Sequence, residues 1–105
     1  MKITRKLIPE MTLEEFADKH GLELEVCERR RDRLPHAGRF YAMFARAEVM
    51  DPPGFLSGVS GDGDTEEEAI RDYAERISEK RLAIYGPAPA YERTNIDVPR
   101  LTVER

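Results

Sequence analysis

The sequence predicts a single α+β domain with the order α-β-β-β-α. In this arrangement a three-stranded antiparallel sheet carries both helices on one face, and a C-terminal extended segment follows. Three observations predict it. Two stretches carry helix caps followed by apolar residues at three- and four-residue spacing. Three stretches between them have the two-residue period or the apolar content of strands. A glycine-rich turn, Gly61-Asp62-Gly63-Asp64, joins the last strand to the second helix. With 105 residues, 40% of them hydrophobic and 36% charged, the chain has material for one modest core.

Residues 1–11 read as an extended lead-in, and Pro9 bars a helix from running through it. The domain proper spans 12–85. Thr12-Leu13-Glu14-Glu15 is a capping box, and Gly21 is a stop signal, so a two-turn helix is predicted over 13–20. Leu13, Phe16 and Ala17 share its apolar face. Leu22, Leu24 and Val26 alternate with Glu23, Glu25 and Cys27, which gives the first strand. Gly38 opens the second, predicted over 39–49, and the two are expected to pair as a hairpin with a long basic loop. Asp51-Pro52-Pro53-Gly54 marks a turn before a third strand over 55–60. Thr65 and Glu68 then cap a helix whose stripe is Ile70, Tyr73, Ala74 and Ile77, with an end near Lys80 or Arg81. Residues 82–85 fit either the tail of that helix or an extended piece. Gly86-Pro87 stops whatever precedes it. Residues 86–105 form an extension in which Ile96 and Val98 alternate, a candidate edge strand because Pro99 excludes a central one.

Composition narrows the function. The net charge of −4 argues against a wholly basic nucleic-acid binder. Cys27 is the only cysteine, so no intrachain disulfide forms, and a reducing compartment is the simpler reading. The first residues lack the apolar run of a signal peptide, and no segment has the length of a membrane span. A cytoplasmic protein without a cofactor is expected.

The charge is polarised. Arg29, Arg30, Arg31, Arg33 and Arg39 cluster around His36 with Asp32 as the only acid, whereas nine acids and two bases lie between Asp51 and Glu79. Arginine donors suit phosphate or carboxylate partners; the plainer alternative is a solvated loop paired with neighbouring carboxylates. The strand from Phe40 to Ala45 is apolar on both sides. Tyr41, Met43 and Ala45 point one way, and Phe40, Ala42 and Phe44 the other. One set meets the helices, and the second lies on an open sheet face unless residues 96–103 fold over it. The partner-binding candidates are Arg29, Arg30, Arg31, Arg33, His36, Arg39, Phe40 and Phe44. Asp62, Asp64, Glu66 and Glu67 imitate a calcium loop but lack its glycine, and helix capping explains them without metal. No catalytic residue is assigned. A hydrolase pairing Cys27 with His20 or His36 is the alternative on that point.

The segment from Arg39 to Ile77 resembles the HicB-type antitoxin domain. The residues that carry the resemblance are Tyr41-Ala42-Met43-Phe44, Pro53-Gly54, and Gly61-Asp62-Gly63-Asp64-Thr65-Glu66-Glu67-Glu68-Ala69-Ile70. The element order is also similar to the double-stranded RNA-binding-type fold, and the chain resembles small phage and prophage accessory proteins. RNA binding does not carry over through the second helix, because Asp62, Asp64, Glu66, Glu67 and Glu68 stand where phosphate would meet its N-terminus. The expected function is a non-catalytic protein-binding domain, antitoxin-like or a phage or prophage accessory factor. Its partner is a protein, a second copy of the chain among the candidates. The alternative is nucleic-acid binding through the Arg29–Arg39 loop.

Overall fold

The computed structural model describes residues 1–4, 9–30, 38–51, 54–87, 89–90 and 92–103. In chain order the elements are β1 (Glu10–Thr12), α1 (Leu13–His20), β2 (Leu24–Glu28), β3 (Phe40–Phe44), β4 (Ala47–Asp51), β5 (Phe55–Ser57), β6 (Gly61–Gly63), α2 (Glu66–Ile77), β7 (Arg81–Tyr85), β8 (Arg93–Asp97) and β9 (Arg100–Thr102). The α-β-β-β-α order with one three-stranded sheet is therefore wrong. Among the described residues two helices accompany nine strands in three sheets, ordered β1-β9, β2-β3-β6 and β5-β4-β7-β8.

Both helices begin where the caps lie. The Thr12 hydroxyl accepts from the Glu15 N–H at 3.1 Å, and the Thr65 hydroxyl accepts from the Glu68 N–H at 3.1 Å. Each satisfies an amide that the first helical turn leaves free. Gly21 ends α1 at φ 63°, a left-handed conformation that glycine adopts without penalty. At α2 the Glu68 carboxylate reaches back to the Asp64 N–H at 3.1 Å, one residue before the cap. Thr65→Ala is expected to lower stability by about 1 kcal/mol in urea titration, with the slope of the transition unchanged.

The predicted second strand breaks in two. Ala45 and Arg46 form a turn in which Arg46 takes φ 58°. The Ala45 N–H still donates to Glu23 O at 2.9 Å on the β2 side, while Arg46 O accepts from the Tyr85 N–H at 2.9 Å on the β7 side. The chain thus crosses from one sheet to another within two residues. The inward-facing residues change from even (Ala42, Phe44) to odd (Ala47, Val49) at that point. The third strand of the first sheet is consequently not 55–60 but Gly61–Gly63, paired antiparallel with β3 (Ala42 opposite Gly61, Phe40 opposite Gly63).

Residues 81–85 are strand. The Ser78 hydroxyl donates to Ala74 O at 2.7 Å, and Glu79 at φ 61° turns the chain out of the helix. The extension beyond residue 86 holds two strands. β8 pairs antiparallel with β7, and β9 pairs parallel with β1, Glu10 opposite Arg100. The lead-in is thereby tied into a sheet.

The core gathers where the layers meet. Phe44 is fully buried, its ring 5.4 Å from that of Tyr73 on α2 in an edge-on contact and 6.2 Å from that of Phe16 on α1. One side chain of β3 therefore holds both helices. Ala42, Ala69, Ile77, Leu82, Val49 and Val98 complete the surrounding cluster. β6 lies so close to α2 that a β-carbon at Gly61 would land on the backbone of Ala69 and Tyr73, and one at Gly63 on that of Ala69. Side-chain-free residues are required there because two backbones are in direct contact. No helix among the described residues is long and apolar enough to cross a membrane.

Candidate functional site

The β2-β3-β6 sheet places Cys27, Tyr41 and Asp62 side by side across three strands, by the pairs Cys27–Tyr41 and Tyr41–Asp62. Since Ala42 and Phe44 point at the helices, these residues point the opposite way, together with Glu25 and Met43. Tyr41, Met43, Cys27 and Asp62 are half-exposed, and Glu25 is exposed.

Arg29, just past the end of β2, closes this face at one end. Its Nη1 donates to Gly38 O at 2.8 Å, more weakly to Phe40 O at 3.4 Å, and to the Asp62 carboxylate. Its guanidinium carbon lies 4.9 Å from the centre of the Tyr41 ring, within cation–π range. The side chain is only 18% exposed, so the ion pair with Asp62 is shielded in part from water. The network continues behind Asp62. Its N–H donates to the Asp72 carboxylate at 2.7 Å, which also accepts from Arg76 Nε at 2.8 Å. Arg29 thus fastens the base of the basic hairpin to β6 and, through it, to α2.

The candidate residues separate accordingly. Arg29 is a clamp rather than a free cation. Arg39 pairs with Glu28 at 3.2 Å, and its guanidinium lies 5.3 Å from the Phe40 ring centre. Arg30 is exposed. Arg31, Arg33 and His36 lie outside the described residues. Phe40 is half-buried against the core, and Phe44 is wholly inside it. Phe44 therefore cannot touch a partner, because the even residues of β3 face the helices. The open face belongs to the other set, led by Tyr41; Met43 is half-exposed there and packs in part against the core cluster.

Sequence reasoning missed Tyr41 and Asp62 as a unit. With the third strand placed at 55–60, Asp62 fell in a turn and its carboxylate was read as a helix-cap charge. The parity change between Phe44 and Ala47 was the available signal.

Comparison with protein-family models, with curated proteins and with solved structures found no match. The site is therefore read from its own chemistry.

This setting alters the titration of Tyr41. Its phenol is raised above the usual 10.0, first by a hydrogen bond to the Cys27 side chain, then by the Cys27 charge and by loss of solvent, while Arg29 pulls the other way. The folded value lies above the unfolded one, so the contribution to stability is fully present below pH 10 and is lost as pH rises through the folded value. Carbon-13 NMR of the Tyr41 ring is expected to give a midpoint above 10, and Cys27→Ala is expected to lower it. An unchanged midpoint in that variant would show that the two side chains do not communicate. His20, at the end of α1, is lowered from 6.5 by burial and then by Lys19, its ring 4.7 Å from that of Phe16.

Proposed function

We propose that this chain is a non-catalytic protein-binding domain that engages its partner through the outer face of the β2-β3-β6 sheet. One observation carries the reading. β3 is apolar on both sides, yet among the described residues its even side is the one occupied by helices, which leaves Tyr41 half-exposed beneath the Arg29 guanidinium, with half-exposed Met43 two residues along the same face. A tyrosine in cation–π contact with an arginine, with a methionine on the same face, has the composition of an interface centre. Exposed Arg30 and Glu25 at its border supply orientation rather than affinity.

The antitoxin-like or phage-accessory role is the narrower form of this proposal and rests on the residues from Arg39 to Ile77. Nucleic-acid binding is disfavoured by the pairing of both Arg29 and Arg39 with carboxylates, since a phosphate would have to displace them.

The test is affinity capture from the source cell with the natural chain and with a Tyr41→Ala, Met43→Ala variant, followed by direct binding to the captured protein. The variant is expected to keep the fold and lose the partner. Equal binding by both chains would move the interface off this face. Duplex or single-stranded nucleic acid that binds at low salt, with affinity falling steeply as salt is added, would replace the proposal with the nucleic-acid reading.

A further inference from the structure

Strand β8 forms one edge of the β5-β4-β7-β8 sheet, and among the described residues nothing pairs with its outer side. Its backbone orientation follows from two bonds at its ends. The Gly86 N–H donates to Glu92 O at 2.8 Å, and the Val98 N–H donates to Lys80 O at 2.8 Å. In an antiparallel ladder such pairs occur at every second residue. The even residues of β8 therefore turn their backbone groups toward β7. Arg93, Asn95 and Asp97 turn theirs outward, and all three are exposed. An edge of this kind is a template for another strand.

We propose that the added strand is β8 of a second copy of this chain, running antiparallel with Asn95 opposite Asn95. The sequence Arg93-Thr94-Asn95-Ile96-Asp97 is self-complementary about its centre. That register sets Arg93 against Asp97 of the second copy, and the reverse, so that opposite charges meet on both sides of the two-fold axis. It is also the register the backbone requires, because the residues whose amides and carbonyls face outward are the ones that become hydrogen-bonded partners.

Each Asp97 already accepts from Arg81 Nε of its own chain at 3.0 Å, so it would lie between two guanidinium groups. On the other face Thr94 would oppose Ile96 of the second copy. The row Val49–Leu82–Ile96, defined by the pairings within the sheet, would then continue across the joint. Eight strands would form one continuous sheet.

The other edges lack this property. β2, Leu24-Glu25-Val26-Cys27-Glu28, would set Glu28 against Leu24 if paired with itself about Val26. β1, β5, β6 and β9 are three residues each. β8 belongs to a different sheet from the face proposed for the heterologous partner, so either surface can fail without the other.

Sedimentation velocity of the full chain from about 1 µM to about 1 mM reads the association directly. The natural chain is expected to dimerise. Arg93→Asp and Asp97→Arg, each of which replaces two attractive pairs by two repulsive ones, are expected to raise the dissociation constant about tenfold or more. The double exchange R93D/D97R restores the two pairs across the joint, although it also removes the Arg81–Asp97 pair within each chain, and is expected to regain the dimer in part. Asn95→Pro deletes an outward N–H while sparing the bonds to β7. It is expected to give a folded monomer by circular dichroism. A chain that sediments as a monomer throughout would overturn the proposal. So would a dimer indifferent to Asn95→Pro, or a double exchange that recovers none of what the single reversals lose.

Discussion

Gly61→Ala is expected to destabilise the protein by about 3 kcal/mol or more, far beyond an ordinary glycine-to-alanine exchange. The reason is the identity of the atoms in the way. The added β-carbon would collide with the carbonyl oxygen of Ala69 and the amide nitrogen of Tyr73, both backbone atoms within α2. A side chain could rotate aside, but a helical backbone moves only as a whole. Displacing α2 from β6 would lift Tyr73 from Phe44 and open the centre of the core. A domain of this size has total stability of about 5–15 kcal/mol, so the loss is a large share of it. The expected readout is a fall in melting temperature of about 12 °C or more. Gly58→Ala is the control. Nothing among the described residues lies within 4 Å of the position its β-carbon would take, and its effect should stay within about 0.5 kcal/mol. Equal, small effects at both positions would show that the helix does not rest on the strand.

Phe44→Ala is expected to cost about 3–5 kcal/mol. The ring is fully buried and touches one aromatic ring from each helix. Its removal therefore leaves a void between three elements that cannot collapse independently. Tyr41→Ala, three residues earlier on the same strand, should cost about 1 kcal/mol or less, because its ring lies on the half-exposed side and loses chiefly its contact with Arg29. Denaturant titration of the two variants distinguishes them sharply. A Tyr41 variant as damaged as the Phe44 variant would mean that the outer face is also part of the core and is not free for a partner.

The two helices were legible because their signals are local. Thr12 and Thr65 announce the starts by side-chain chemistry that acts within one turn, and Gly21 ends α1 by its own dihedral freedom. The sheets were not legible to the same degree. Nothing within Ala45-Arg46 has the composition of a turn. Arginine is an unusual residue at φ 58°, and the bonds on either side of it, Ala45 N–H to Glu23 O and Tyr85 N–H to Arg46 O, hold it there. Strand β7 pairs with β4 and β8, and its sequence, Arg81-Leu82-Ala83-Ile84-Tyr85, satisfies a helix tail equally well until those neighbours are in place. The candidate site failed in part for the same reason. The charge of Arg29 was evident, but its partner Asp62 could be found only by knowing that Gly61–Gly63 is the strand beside Tyr41.

The parallel pair of β1 with β9 joins residue 10 to residue 100, with the Arg100 N–H on Pro9 O, while the Leu101 N–H turns away from β1 to the Ser78 hydroxyl at the end of α2. Closing so wide a loop carries nearly the largest entropic penalty available to this chain, and three residue pairs are a small return for it. The joint should therefore be among the last to zip up during refolding and among the first to open in the native state. Deuterium should enter Met11 well before Ala42 or Leu82, and β1 would then be the segment that lets go while α1, anchored in the core by Leu13 and Phe16, stays in place.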